Sequence, residues 1–215
     1  MAPDFASERR EMVERQLRQR GIRDERVLAA MGQIPREEFV PADSRLLAYA
    51  DEPIGIGYRQ TISQPYMTAL MAERLELQGW ERVLDVGTGS GYAAAVLGAL
   101  AARVVSIELI PGLAAIARDN LARTGHGYNV SIVAGDGSLG YPPEAPYDGI
   151  SVAAAARQVP QTLVDQLNDP GRLVIPIGDQ DDQELRVLLK QNGKIRSSIA
   201  TLCRFVPLRG GESRQ

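Results

Sequence analysis

A chain of 215 residues with 44% hydrophobic and 24% charged side chains has the makeup of a folded globular protein, which excludes a disordered, collagenous or coiled-coil chain. Its 24 Lys and Arg against 27 Asp and Glu leave a net charge of −3, which argues against a phosphate-binding surface for nucleic acid. Cys203, the single cysteine, admits no internal disulfide and fits a reducing compartment.

Taken in chain order, Ser7-Glu8-Arg9-Arg10 opens a helix whose apolar members Met12, Val13 and Leu17 recur at helical spacing, and Gly21 stops it. Asp24 caps a second helix carrying Val27, Leu28 and Met31, ended by Gly32 and Pro35. A loop punctuated by Pro53, Gly55 and Gly57 follows, and Ser63-Gln64-Pro65 starts a helix with Met67, Leu70, Met71 and Leu75 on one face. From residue 80 the rhythm changes. Strands at Arg82–Val86, Val104–Glu108, Asn129–Ala134, Tyr147–Val152 and Gly171–Pro176 alternate with helices Ser90–Leu100, Pro111–Leu121 and one holding Leu163–Leu167. Alternation of this kind predicts right-handed crossovers and an α/β fold, a doubly wound Rossmann-like parallel sheet covered on both faces.

The tail alternates apolar and polar residues at Leu185, Val187 and Leu189, turns at Asn192-Gly193 and returns through Ile195–Leu202, which predicts antiparallel C-terminal strands. Arg204-Phe205-Val206-Pro207-Leu208 is expected as a last edge strand, because Pro207 has no amide to donate to a ladder. The chain therefore divides into residues 1–80, a helical extension bearing a substrate loop, and residues 81–215, an α/β core. The apolar stretch Ala93–Ala102 carries Gly98 and is too short to span a bilayer, and the charged start (Asp4, Glu8, Arg9, Arg10, Glu11) lacks the apolar run of a signal peptide. A cytoplasmic monomer without membrane contact is expected.

Three elements stand in order at three consecutive strand ends. Asp85-Val86-Gly87-Thr88-Gly89-Ser90-Gly91 leaves the first strand and opens a helix with G-x-G-x-G spacing, tighter than the dinucleotide fingerprint. Glu108 ends the second strand, where an acid holds the ribose hydroxyls of an adenosine; by itself it reads equally as a solvated charge. Gly135-Asp136-Gly137 ends the third, offering a carboxylate to an adenine amino group or merely forming a turn. A pyrophosphate prefers bare amides at a helix N-terminus, whereas the carboxylate of Asp85 suits a cationic ligand such as the ammonium of an amino-acid tail. The set resembles class I methyltransferases that use S-adenosyl-L-methionine and release S-adenosyl-L-homocysteine. That resemblance assigns Asp85, Gly87, Thr88, Gly89, Ser90, Gly91, Glu108, Asp136 and Gly137 to the cofactor.

Upstream, Gln60-Thr61-Ile62-Ser63-Gln64-Pro65-Tyr66-Met67, together with Val159-Pro160 and Arg204–Leu208, is similar to the protein-L-isoaspartate (D-aspartate) O-methyltransferases, over nearly the whole chain. The resemblance implies a repair enzyme acting on isoaspartyl-containing peptides and proteins: it esterifies the free α-carboxylate, and the ester then closes to a succinimide unaided. The family's active-site serine falls on Ser63; Ile62, Arg59, Ala154 and Ala155 are expected to border the peptide. Read from the residues alone, Ser63 is as well an N-cap for the helix at Pro65, and Ala153–Ala156 simply permits close packing.

The chemistry fits. A carboxylate, with an ordinary pKa near about 3.9, is already ionised at neutral pH and needs no general base. The sole histidine, His126, lies in a loop beyond the second core helix, is expected at the surface, and should give no pH–rate limb near about 6.5. Attack on a sulfonium methyl neutralises two charges, so a dry site that aligns the two groups favours the transition state. The chain departs from the family at Arg59 (usually Gly), Asp85 (usually Glu) and Ser138 (an aromatic in some members). Rival readings are a carboxyl O-methyltransferase with a dedicated peptide or small-molecule substrate, a non-enzymatic cofactor-binding module and a dehydrogenase. A nucleic-acid amino-methylating enzyme would need an Asn/Asp-Pro-Pro-aromatic segment after the fourth strand, where Ala153 stands; no metal is expected, and Asp179, Asp181 and Asp182 read as a solvated turn.

Overall fold

The computed structural model describes residues 3–179 and 182–211, so Asp181 of the acidic turn lies outside the described residues. Helix α1 (Phe5–Glu11) is capped by Asp4, whose side chain accepts from the Ser7 amide; its continuation Met12–Arg18 widens into a π-helical turn and ends at Gly21. The first helix thus starts before Ser7. Helix α2 (Glu25–Gln33) has the expected cap, with Asp24 accepting from the Arg26 and Val27 amides. Gly32 lies inside it, and the chain leaves the helix at Ile34, before Pro35. A small hairpin pairs β1 (Ile54–Gly55) with β2 (Thr61–Ile62), and helix α3 spans Pro65–Arg74. The N-cap of α3 is Gln64, not Ser63, and no side chain caps it.

The main sheet is built from β3 (Arg82–Val86), β4 (Arg103–Glu108), β5 (Val130–Ala134), β6 (Tyr147–Val152), β7 (Leu167–Gly178), β8 (Gln183–Gln191) and β9 (Lys194–Cys203). Its order is β5-β4-β3-β6-β7-β8-β9. The pairs among β3 to β7 are parallel, whereas β7–β8 and β8–β9 are antiparallel. Helices α4 (Tyr92–Leu100), α5 (Pro111–Thr124) and α6 (Gln161–Asp165) make the connections; Leu167, expected in the last helix, already belongs to β7. Arg204–Leu208 is not an edge strand. It leaves the sheet after β9 and crosses the strand ends, held by Ala155 N–H to the Val206 carbonyl (2.8 Å) and Leu208 N–H to the Ala155 carbonyl (2.7 Å).

Strand β3 is buried from Val83 to Val86 on both faces, as a central parallel strand must be, and carries one charge, Asp85, within that stretch. One core joins the N-terminal helices to α4 through Met12, Leu17, Met31, Phe39, Leu70 and Tyr92; a second fills the other face around Leu84, Val105, Ile150 and Leu173. The sheet reverses direction of growth between β3 and β6, and that switch point opens a crevice beyond the carboxyl ends of these two strands. Among the described residues no helix is long and apolar enough to cross a membrane.

At the opposite end, buried Asn129 donates through Nδ2 to the carbonyls of Gly98 and Ala101, both at 2.9 Å, and so satisfies the C-terminal end of α4. Asn129→Ala is expected to lower stability by about 1–3 kcal/mol in urea unfolding. The catalytic rate per folded molecule should stay unchanged, because the crevice lies at the other end of the sheet.

Candidate active site

The turn after β3 is steered by main-chain bonds. The Gly87 and Thr88 amides both donate to the Ile107 carbonyl, at 2.9 and 3.2 Å, and Gly91 closes the turn by donating to the Thr88 carbonyl. Gly91 has φ +94°, and a Cβ there would sit 3.3 Å from the Ala117 carbonyl oxygen, so α5 backs directly against the loop. From α5, Asn120 Nδ2 donates to the Ser90 carbonyl at 2.9 Å and holds it to the rear.

In front of this turn is a partly open cavity of about 130 Å³. Gly87, Thr88, Gly89 and Ser90 form one side, and Glu108 and Gly137 continue it along the ends of β4 and β5. Ile62, Ser63, Tyr92 and Ala154 also line it, together with Val206 to Arg209 of the crossing segment. Ser63 makes no side-chain hydrogen bond to any described residue, so its hydroxyl is free to serve a ligand. Glu108 is 6% exposed and accepts the Gly89 amide on one oxygen (2.8 Å) and the Ile110 amide on the other (2.9 Å). Each oxygen retains a further lone pair.

Asp85 and Gly91 stand behind this wall rather than in it. Asp85 is wholly buried; its Oδ2 accepts from Ser106 Oγ (2.6 Å), which in turn meets Thr88 Oγ1 (2.6 Å), while Oδ1 has no hydrogen-bond partner. Burial pushes the carboxyl up to about 6; the Ser106 hydrogen bond opposes this and the charge of Glu108 adds to it. Asp136 is also off the cavity. Its Oδ1 accepts from the Ser138 amide and hydroxyl, and its Oδ2 from the Gly211 amide at 2.8 Å. Burial alone would raise this carboxyl, but those hydrogen bonds outweigh it and hold it below the usual carboxylate range.

Arg59 lies outside the cavity, exposed at the tip of the β1–β2 hairpin, where Tyr58 and Arg59 have φ of +52° and +58°. Those values are uncommon for residues with a Cβ. Tyr58 presses its hydroxyl against Gly112 at the start of α5, so the hairpin bridges the two sides of the crevice. Ala155 borders an adjoining open groove with Arg157 and Pro207. The amides of Ala153, Ala155 and Ala156 already bond to Val86, Val206 and Pro176 carbonyls, so in this run only the Ala154 amide lacks a main-chain acceptor among the described residues. His126 is half-buried rather than fully at the surface, in the α5–β5 loop at the far end of the sheet. No cluster of three His, Cys, Asp or Glu side chains able to hold a metal occurs among the described residues.

Sequence reasoning missed Ser106, Tyr92, Arg209 and Arg36. Ser106 is the register partner of Asp85, so pairing β3 with β4 on paper would have found it. Arg36 is completely buried, donating through Nε to the Ala48 carbonyl and through Nη2 to the Ser63 carbonyl, both at 2.7 Å. Its signal is a charge set between the apolar residues Ile34 and Phe39 of the first core.

Known proteins of this form agree with the motif reading. A model of the protein-L-isoaspartate (D-aspartate) O-methyltransferase family matches residues 7–213. A protein-L-isoaspartate O-methyltransferase of Methanoculleus marisnigri is 54% identical over 94% of this chain and 92% of its own length. A second, from Marinobacter nauticus, is 54% identical over 97% of this chain and 96% of its own. Among solved structures, a Plasmodium falciparum protein assigned to the same enzymes and crystallised with S-adenosyl-L-homocysteine superposes with a TM-score of 0.81 at 30% identity, covering 94% of this chain and 98% of that one. With a family match that runs from the first helix past the crossing segment, this chain belongs to the protein-L-isoaspartate (D-aspartate) O-methyltransferase family.

Proposed function

We propose that this chain is a protein-L-isoaspartate O-methyltransferase in which residues 81–215 hold S-adenosyl-L-methionine and residues 1–80 shape the side that receives an isoaspartyl peptide or protein. The observation that carries this reading is the meeting, in one cavity, of the free Ser63 hydroxyl with the glycine turn and Glu108. The chemistry of the wall also fits the cofactor: Asp85 Oδ1 is a buried acceptor without a partner behind the turn, and its charge would favour an ammonium group on the cavity side of the glycines. When bound, S-adenosyl-L-methionine supplies an electrophilic methyl carried on a sulfonium.

The residues divide the remaining work. Gly87, Thr88, Gly89 and Ser90 would hold the methionine part, with Gly91 closing the turn behind them, and Glu108 the ribose, with Gly137 beside the adenine. Asp136 keeps its assignment to the adenine edge on the family resemblance, since its oxygens are already bonded to Ser138 and Gly211. Ser63 would orient the acceptor carboxylate by donating its hydroxyl. Ile62 and Ala154, both buried at 7% exposure, exclude water beside it. Arg59 and Ala155 would meet the peptide on either side of the reacting residue, outside the closed part of the site. No step needs a histidine, and His126 lies at the wrong end of the sheet to supply one.

Transfer of a labelled methyl group from S-adenosyl-L-methionine to an isoaspartyl peptide, with its normal aspartyl twin as control, tests the activity: label on the first alone is expected, and label on neither overturns it. Ser63→Ala should lower kcat/KM for the peptide by about 5- to 30-fold, the loss of one hydrogen bond of about 1–2 kcal/mol, while S-adenosyl-L-homocysteine still binds in a calorimetric titration.

Asp85→Asn should weaken that binding by about 1–3 kcal/mol, the scale for a buried charge-assisted bond. Since burial favours the uncharged carboxyl, Asp85 costs stability above about pH 6, and this cost fades as the pH falls through 6 toward the unfolded value. The ligand-free Asp85→Asn protein should therefore melt no lower than the wild type at pH 8. Donor affinity in the wild type should decline below about pH 6, as Asp85 loses its charge. The decline should persist in His126→Ala and vanish in Asp85→Asn, which separates it from any histidine titration.

A further inference from the structure

Arg36 is the one Lys or Arg among the fully buried side chains of the described residues, and it has no carboxylate within ion-pair distance. The two nearby acids are committed elsewhere. Glu37 is bonded to Arg9 and the Tyr49 hydroxyl; Asp51 is bonded to Arg20 and the Tyr66 amide. What Arg36 touches instead is neutral: the Ala48 and Ser63 carbonyls, and the Tyr92 ring, whose centroid lies 4.9 Å from Cζ. Its Nη1 is buried without a partner. Burial lowers its pKa to about 10, so the group remains a cation at neutral pH.

An isolated buried cation is costly, and a hydrocarbon side chain at the same place would serve the core better. The placement indicates what offsets the cost. Ser63 and Tyr92, the two residues Arg36 contacts on this side, both line the cavity. The acids Asp85 and Glu108, behind and beside the glycine turn, are bonded to Ser106 and to the Gly89 amide and leave Arg36 unpaired. Arg36 itself does not line the cavity; its charge lies behind the wall, one residue removed through the Ser63 carbonyl and the Tyr92 ring. Arg209, the cation in the lining itself, is exposed and screened by water.

We propose that Arg36 is the positioning residue of the acceptor side: its guanidinium fixes the Ser63 main chain at the cavity wall and supplies the desolvated positive charge that selects a carboxylate over an uncharged acceptor. Arginine suits this place because one planar fork spans the Ala48 and Ser63 carbonyls while staying charged; a lysine ammonium keeps the charge but does not bridge both carbonyls in that geometry. The inference rests on the isoaspartyl methyltransferase reading, and the experiment below separates the two.

The affinities of an isoaspartyl peptide and of its twin with the free α-carboxylate replaced by a carboxamide are measured on the full chain saturated with S-adenosyl-L-homocysteine, alongside kcat for the first peptide. The wild type should prefer the carboxylate by about tenfold or more. Arg36→Gln should reduce that preference to within about threefold without a matching loss of S-adenosyl-L-homocysteine affinity. Arg36→Lys should keep most of the preference yet lose about tenfold in kcat, because Ser63 is no longer held. A preference unchanged in Arg36→Gln, with both peptides and the product weakened alike, means a purely structural role and overturns the proposal. If Arg36→Gln does not fold, a wild-type preference near unity, or an Arg36→Lys protein with unchanged kcat, overturns it equally. A wild type that binds the isoaspartyl peptide in preference to its carboxamide twin but does not methylate it defeats the enzymatic reading instead.

Discussion

A carboxylate buried at the end of the central strand is the feature around which the site is organised. Asp85 is out of water, leans on Ser106, and through that serine is tied to Thr88 in the turn that follows. The fold pins this group in place because β3 has parallel neighbours on both sides and is buried on both faces. Such a group is unfavourable when nothing cationic is near, since desolvation penalises its charged form. The same penalty makes it a strong partner for a cation arriving from the cavity, because in a dry site the attraction is weakly screened. On the proposed function, stability given up at this one residue is recovered when a cationic ligand binds.

The rest of the cavity follows the same electrical plan. Backbone amides fill part of Glu108 and aim it, the glycine turn keeps side chains out of the way, and α5 braces that turn from behind through Asn120 and Ala117. In the same lining stands Ser63 with a free hydroxyl, and behind it the buried charge of Arg36. Two reactants of opposite charge that neutralise each other need to be aligned and kept dry more than they need a proton relay. That accounts for a site built without a histidine.

The groove beside the cavity has a different character. Arg204–Leu208 leaves the sheet to cross the strand ends, where hydrogen bonds to the Ala155 main chain fasten it. By leaving, it converts what would have been an edge strand into a wall of the site. The opposite border is the β1–β2 hairpin, whose tip holds Tyr58 and Arg59 in left-handed backbone conformations and rests on Gly112. Both borders are short loops on a rigid sheet, the kind of position where a substitution changes what is recognised while the scaffold beneath is kept.

The amino-acid sequence by itself determined the alternating strands and helices, the antiparallel end, the glycine turn and the Thr61-Ile62-Ser63 segment, because these depend on local periodicity, turn residues and contiguous motifs. It also placed Asp24 correctly as a cap, a role decided within three residues. Only the tertiary structure decided that Gln64 rather than Ser63 opens α3, that Asp136 is bonded to Ser138 and Gly211 instead of facing the cavity, and that Arg204–Leu208 is a wall. It alone revealed Ser106 and Arg36, which stand far along the chain from the groups they hold. Local spacing carries propensity and motif, but which polar groups share a desolvated space is set by long-range packing, and no window of sequence contains it.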